Sequence, residues 1–290
     1  MVVLMFLSAY FLLDMKALQY KVYTSSKMGF SVTSTLVYGE EEAILVDTQM
    51  IPHEAGKVVK MIQETGKKLV HILITHAHLD HFGGTEVLLE AFPEAKVWAE
   101  PGVVELIATT GEKQIKDLGK MYPAKFLPQQ AIVPQAFVGN AIDLEGHSIE
   151  VITNLQGDFA PHSAFYIGAL QMLVVGDIVY PGVHPWTSDT DNAQREHWIA
   201  SLEKLATYNT QVVITGHKHP TCTHSPQYIE EMLAYLRDFN AANLTTDSGQ
   251  ALMDKMVSLY PALKQLGLLK IGAFANKQEQ VNVAKALQMD

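Results

Sequence analysis

The stretch "ILITHAHLDHFGG", residues 72–84, packs three histidines and an aspartate into six positions of a chain with only 12 histidines in 290 residues. Imidazole and carboxylate groups at that density are the donor set of a transition-metal site. In an extended backbone alternate side chains share a side, so His76 and His78 can converge on one ion while Ala77 points away. Asp80 and His81 come next, where the chain turns toward a helix, and they diverge enough to serve a second ion. Each alone would read as a solvated loop residue. It is the density, followed by Gly83 and Gly84, that argues for metal.

Further donors sit where apolar strands end. "MLVVGDIVY" runs into Asp177, "VVITGHKHP" into His217 and "AILVDTQ" into Asp47. Binding groups gather at such strand ends. An aspartate between two cations can give one oxygen to each, although after Gly176 it could equally be a turn former. Asp47 is placed to support a ligating histidine from behind.

The elements that must position these groups follow from the hydrophobic pattern. Alternating or continuous apolar runs predict strands at about 17–25, 31–38, 42–47 and 69–75, with a helix over about 53–66 that stops at Gly66. "GGTEVLLEAF" opens a helix with Thr85 as its cap. "KVWAE" is a strand, 102–121 a helix, and 122–142, with Pro123, Pro128 and Pro134, a crossing linker. Strands are expected at about 148–154, 163–168, 171–176 and 211–216, with a helix over 191–207. From Pro226 onward the pattern is helical, and "YIEEMLAYLRDF" is clearly amphipathic. No repeat of 20 to 50 residues and no low-complexity tract occurs. Strands followed by mixed strand and helix, twice over, imply two β-sheets covered by helices, an α/β protein.

Composition narrows the function. A hydrophobic content of 48% supports a large core. A formal charge of −10 with no basic block argues against a nucleic-acid partner. The single cysteine, Cys222, excludes a disulfide framework and a multi-cysteine zinc site and suits a reducing compartment. Residues 1–14 contain an apolar run too short to span a bilayer and without the flanks of a signal peptide. They read as a mispredicted start ahead of Met15 and a cytoplasmic chain, or else as a weak signal and a periplasmic or exported one, or as a first core strand or helix. The expected organisation is 1–14, a main domain over 15–225 and a helical extension over 226–290 packed on it.

"HAHLDH" at 76–81 resembles the H-x-H-x-D-H signature of the metallo-β-lactamase superfamily, and the resemblance extends to Asp47 before it and Asp177 and His217 after it, in that family's order. The likeness runs from about residue 20 to 220. It implies a four-layer αββα sandwich with two divalent ions, zinc foremost and iron or manganese as alternatives, at one edge between the sheets. By the resemblance His76 and His78 serve the first metal, Asp80, His81 and His217 the second, and Asp177 bridges them. One position departs from the pattern. Where the family supplies a third histidine to the first metal this chain has "LQGDFAPHSAFYI". Gln156, Asp158 and His162 are the alternatives, and a depleted first site is another.

Such a centre implies hydrolysis by a hydroxide held between two cations, with Asp80 moving the proton. Tyr180, three residues after Asp177, resembles the lactonase branch, where a tyrosine hydroxyl contacts the substrate's carbonyl oxygen. Otherwise it is a packing residue. His184 and Trp186 are expected as pocket walls. The lysines of 220–290 are dispersed, which weakens a glyoxalase II-like glutathione thioester reading. The expectation is a hydrolase of a small-molecule ester, lactone or thioester. Its helical tail covers the pocket or forms a homodimer contact. The alternatives are an iron-dependent oxygenase of the same fold and a non-catalytic metal-binding protein.

Overall fold

A computed structural model describes residues 17–289, so the apolar segment 1–14 lies outside the described residues. One sheet contains β1 (Gln19–Thr24), β2 (Thr33–Tyr38), β3 (Glu42–Val46), β4 (Lys68–Leu73), β5 (Lys96–Ala99) and β6 (Gln135–Ala136), hydrogen-bonded in chain order. β1, β2 and β3 pair antiparallel, and β3 to β6 pair parallel. The other sheet has the order β11 (Val212–Ile214), β10 (Met172–Val174), β9 (His162–Ile167), β8 (His147–Leu155), β7 (Ala141–Leu144). Only β10 and β11 run parallel there.

Helices cover both outer faces: α1 (Pro52–Gln63), α2 (Leu79–Phe82), α3 (Thr85–Ala91) and α4 (Pro101–Leu118) on the first sheet's side, α5 (Asn192–Ala206), α6 (Gln227–Thr245), α7 (Gly249–Leu259), α8 (Leu266–Asn276) and the short α9 (Val283–Ala286) on the other. Period-two alternation divides the strands between three cores. Ala43 and Leu45 pack with Val58 of α1 and Val103 and Ile107 of α4. Ile44 and Val46 turn the other way and meet Met172, Val174 and Ile214 between the sheets. Leu173 and Val213 face Trp198, Phe239 and Leu269 in the outer helices. Strands buried on both faces read as unbroken apolar runs, which is why they were legible. The fold is the αββα sandwich with C-terminal helices.

Differences from expectation are local. Thr85 is the first residue of α3 and not its cap. That position is Gly84, and the Thr85 hydroxyl donates to Phe82 O at 2.6 Å. A Cβ at 84 would lie 2.1 Å from Thr48 O, so glycine is needed where the chain crosses the 48–50 segment. The helix expected to reach 121 ends at Leu118, and the 122–142 linker contains β6 and the start of β7. A two-residue edge strand beside Pro134 is too short for periodicity to register. α5 begins with a reciprocal capping box, Gln194 N to Asp191 Oδ1 at 2.8 Å and Asp191 N to Gln194 Oε1 at 2.9 Å.

Candidate metal centre

β4 stops at Leu73, and the chain bends at His76 and Ala77 before His78, whose φ/ψ of −86/137° caps α2. His76 and His78 nevertheless share a side, with their rings 4.9 Å apart; His76 and Ala77 are fully buried, and the His78 side chain is 20% exposed. The turn of α2 then carries Asp80 and His81. Asp177 lies in the turn after β10, His217 follows β11, and Asp158 lies on the β8–β9 loop. Four strand ends from two sheets thus deliver donors to one seam.

The donors fall into two groups, His76, His78, Asp158 and Asp177 in one and Asp80, His81 and His217 in the other. In the first, His78 Nδ1 is 3.1 Å from Asp158 Oδ2, and His76 Nε2 lies 3.7 Å from Asp158 Oδ1 and 4.0 Å from Asp177 Oδ2. In the second, His217 Nε2 is 3.0 Å from Asp80 Oδ2, and His81 Nε2 is 3.8 Å from the same oxygen. Asp177 reaches both groups, with Oδ1 3.4 Å from His81 Nε2 and Oδ2 3.3 Å from His217 Nε2. Gly216 makes room for it, since a Cβ there would fall 1.8 Å from Asp177 Oδ1.

His76 Nε2, His81 Nε2, Asp158 Oδ1 and Asp177 Oδ1 are buried and have no hydrogen-bond partner. Buried polar atoms are almost always paired. Four such atoms turned into one seam fit divalent cations. The outward nitrogens are taken: His76 Nδ1 meets Thr75 Oγ1 at 3.0 Å, His81 Nδ1 meets Asp47 Oδ2 at 2.7 Å, and His217 Nδ1 donates to Phe30 O at 2.9 Å. These contacts fix each ring with Nε2 toward the seam. Asp47 also accepts from Thr75 N and Oγ1, and holds φ at +60° to do so.

The electrostatics are those of a cation site. Burial raises the Asp158 carboxyl to about 6, with His78 pulling against it. Burial would lower His217, but Asp177 and Asp80 outweigh it and bring the imidazole up to about 10. His81 is likewise raised against burial by Asp177 and Asp47. Protons and metal ions compete for the same nitrogens.

Of the three alternatives at the departing position, Asp158 joins the cluster. The Gln156 amide donates to Gly157 O at 2.9 Å. His162 stacks on His76 at 4.5 Å, while its Nδ1 lies 3.0 Å from Ser163 O and its Nε2 accepts from Asp177 N at 3.2 Å. Burial lowers it to about 3. As a neutral imidazole with both nitrogens engaged, it braces the backbone of Asp177. The Tyr180 hydroxyl faces Asp177 Oδ2 at 2.8 Å and Asp158 Oδ2 at 3.0 Å, and its ring stacks on His217. His184 is buried against Tyr235, Nδ1 to hydroxyl 2.9 Å. The sequence reading missed Asp189, 3.6 Å from His78 Nε2, and Phe159, 4.8 Å from the His78 ring. Neither residue type nor spacing marks a loop aspartate 12 positions beyond Asp177.

Comparison with known proteins agrees with this architecture. The YobT protein of Bacillus subtilis (strain 168) is 41% identical over 68 residues, 23% of this chain and 29% of that protein. The hydroxyacylglutathione hydrolase GloC of Haemophilus influenzae is 25% identical over 191 residues, 65% of this chain and 86% of the relative. A solved metallo-beta-lactamase family protein from Thermus thermophilus superposes with a TM-score of 0.62 at 21% identity, covering 90% of this chain and 91% of the other. At that identity the superposition speaks for the fold alone. Among the described residues no helix is long and apolar enough to cross a membrane. The sequence model of the Metallo-beta-lactamase superfamily matches residues 28–217, spanning every residue of both donor groups, and the chain belongs to that superfamily.

Proposed function

We propose that the chain is a metal-dependent hydrolase of a small-molecule ester, lactone or thioester. His76, His78 and Asp158 hold one divalent ion, Asp80, His81 and His217 a second, and Asp177 is shared. The observation that carries this reading is the convergence of four unpartnered buried donors between two groups joined by one carboxylate. Two such ions, zinc foremost and iron or manganese as alternatives, would lower the pKa of a water to near 7 and polarise the oxygen of the electrophile.

The chain's own residues do the rest. Asp80, with 15% of its side chain exposed, is the carboxylate open to the solvent side. It accepts the proton of the attacking water and returns it to the leaving group. Tyr180 donates to Asp177 and Asp158, so it acts first on the carboxylates, and a substrate carbonyl that displaced one of them would receive the same proton. Asp47, Thr75 and Phe30 O keep the imidazoles oriented. Relatives named hydroxyacylglutathione hydrolases make thioesters the first class to assay.

Metal content of the purified chain, followed by p-nitrophenyl esters, lactones and acyl thioesters with and without chelator, tests the proposal. Chelator-sensitive turnover is expected. Absence of turnover at full metal loading would instead favour a binding role. One feature favours a second reading: His76, His78 and Asp158 form a two-histidine, one-carboxylate set of the kind that holds iron in oxygenases. Iron content together with oxygen consumption would select it.

A further inference from the structure

Three of the four histidines at the seam have their outer nitrogen held by groups within the two sheets or their loops. His78 is different. Its Nδ1 is the atom turned inward, 3.1 Å from Asp158 Oδ2, so its other nitrogen, Nε2, points outward. There it faces Asp189 Oδ2 at 3.6 Å, and that oxygen accepts from Trp186 Nε1 at 2.6 Å. Asp189 belongs to the loop between Tyr180 and α5, and its side chain is 42% exposed.

That loop does not hang free. The C-terminal helices clasp it: Asn276 Nδ2 of α8 donates to Thr187 O at 2.9 Å, and Gly272 comes so close to Thr187 that a Cβ there would lie 2.1 Å from Oγ1. Arg195, fully buried, donates to Thr190 O and, through Nε, to Asn240 Oδ1 of α6, both at 2.6 Å. His184 N donates to Lys264 O at 3.0 Å, and Val183 pairs with Lys264 as an isolated bridge. Each of these contacts ties the loop to residues beyond position 226 or to the start of α5.

We propose that Asp189 is a positioning residue for His78, holding its ring in ligating orientation, and that the C-terminal helices set the metal centre's affinity by fixing the loop that carries it. A ring able to rotate about χ2 loses the orientation its inner nitrogen needs, and a carboxylate facing the outer N–H removes that freedom. The 3.6 Å separation is longer than a hydrogen bond. A cation held at Nδ1 would leave the imidazole proton on Nε2, the nitrogen that faces this carboxylate.

The inference rests on the metal centre of the proposed function, and its test reads binding of zinc alone, by competition with a chromophoric chelator, in the full chain. Outer partners of ligating histidines are typically worth about 10–100-fold in metal affinity. Asp189→Ala is expected to weaken the more loosely held zinc at least about tenfold. Asp189→Asn, which keeps an acceptor for Trp186, should weaken it less, and Asp189→Glu should restore most of the loss. Asn276→Ala, remote from every donor, should shift it in the same direction by a few-fold. The metal-free variants' melting midpoints, matched to wild type, separate these shifts from unfolding. Wild-type affinity in Asp189→Ala would overturn the role of Asp189 while leaving the centre in place. No zinc uptake by the wild-type chain would overturn the centre and this inference with it.

Discussion

Asp158 Oδ2 sits 3.1 Å from His78 Nδ1, a contact between the β8–β9 loop of one sheet and the β4–α2 loop of the other. It adds a carboxylate to the two histidines of the first group, alongside Asp177, which makes that group rich in oxygen donors. Asp158→Ala should therefore lower the metal content of the purified chain by about one equivalent, and Asp158→His should restore it with selectivity moved toward zinc over manganese. Elemental analysis reads both. Full occupancy in Asp158→Ala would remove Asp158 from the ligand set.

Asp80 lies 3.0 Å from His217 Nε2 at the solvent side of the seam. Asp80→Ala is expected to cut turnover on any responsive ester or thioester by at least about 100-fold. Far-ultraviolet circular dichroism should be unchanged. Wild-type rates in that variant would refute the proton-transfer role.

Asp47→Asn keeps the size of the side chain and removes the charge facing His81. Metal affinity is expected to fall about 10–100-fold, measured by chelator competition. Asp47→Ala should add a stability loss of about 1–3 kcal/mol in urea unfolding, because Thr75 N and Oγ1 lose their buried acceptor.

Tyr180→Phe removes the hydroxyl that faces Asp177 and Asp158 while keeping the ring stacked on His217. If the phenol acts through the carboxylates, kcat should drop about tenfold with KM nearly constant. A rise confined to KM would instead assign the hydroxyl to ground-state substrate binding.

Glu54 supplies a pH signature away from the metal. Its carboxylate is almost fully buried and takes hydrogen bonds from Ser26 and Tyr23 and an ion pair from Lys57 at 3.1 Å. Burial alone would raise it, yet these partners hold it down to about 2 from the usual 4.5. A lowered folded-state value means that the stabilisation is fully present above about pH 4.5 and is lost as pH falls toward 2. Urea midpoints in that window should decline less steeply for Glu54→Gln. The same group anchors the loop whose Phe30 O receives His217 Nδ1.

Much of this was readable from the chain because burial on both faces leaves continuous apolar runs, and those runs end on the donors. His76, His78, Asp80, His81, Asp177 and His217 all lie at such ends, and the structure brings them within one seam. Asp158 could only be offered beside Gln156 and His162, because the loop holding all three has no period to say which side chain turns inward. The short α2, the edge strand β6 and the Thr85 position escaped because each depends on one or two hydrogen bonds that leave no repeat. Asp189 escaped for a different reason: its place beside His78 is set by helices joined to it only through tertiary contacts.

Asp80 and His217 stand 137 positions apart and reach the seam from different sheets. A cation shared between them can be captured only after both halves of the sandwich have docked, so its binding energy favours the assembled chain over every partly folded one. At 100 times the dissociation constant that bias is about 2.7 kcal/mol. In a cell starved of the right ion, newly made copies would linger in open forms that proteases recognise, and the amount of this protein would track metal supply even with transcription held constant.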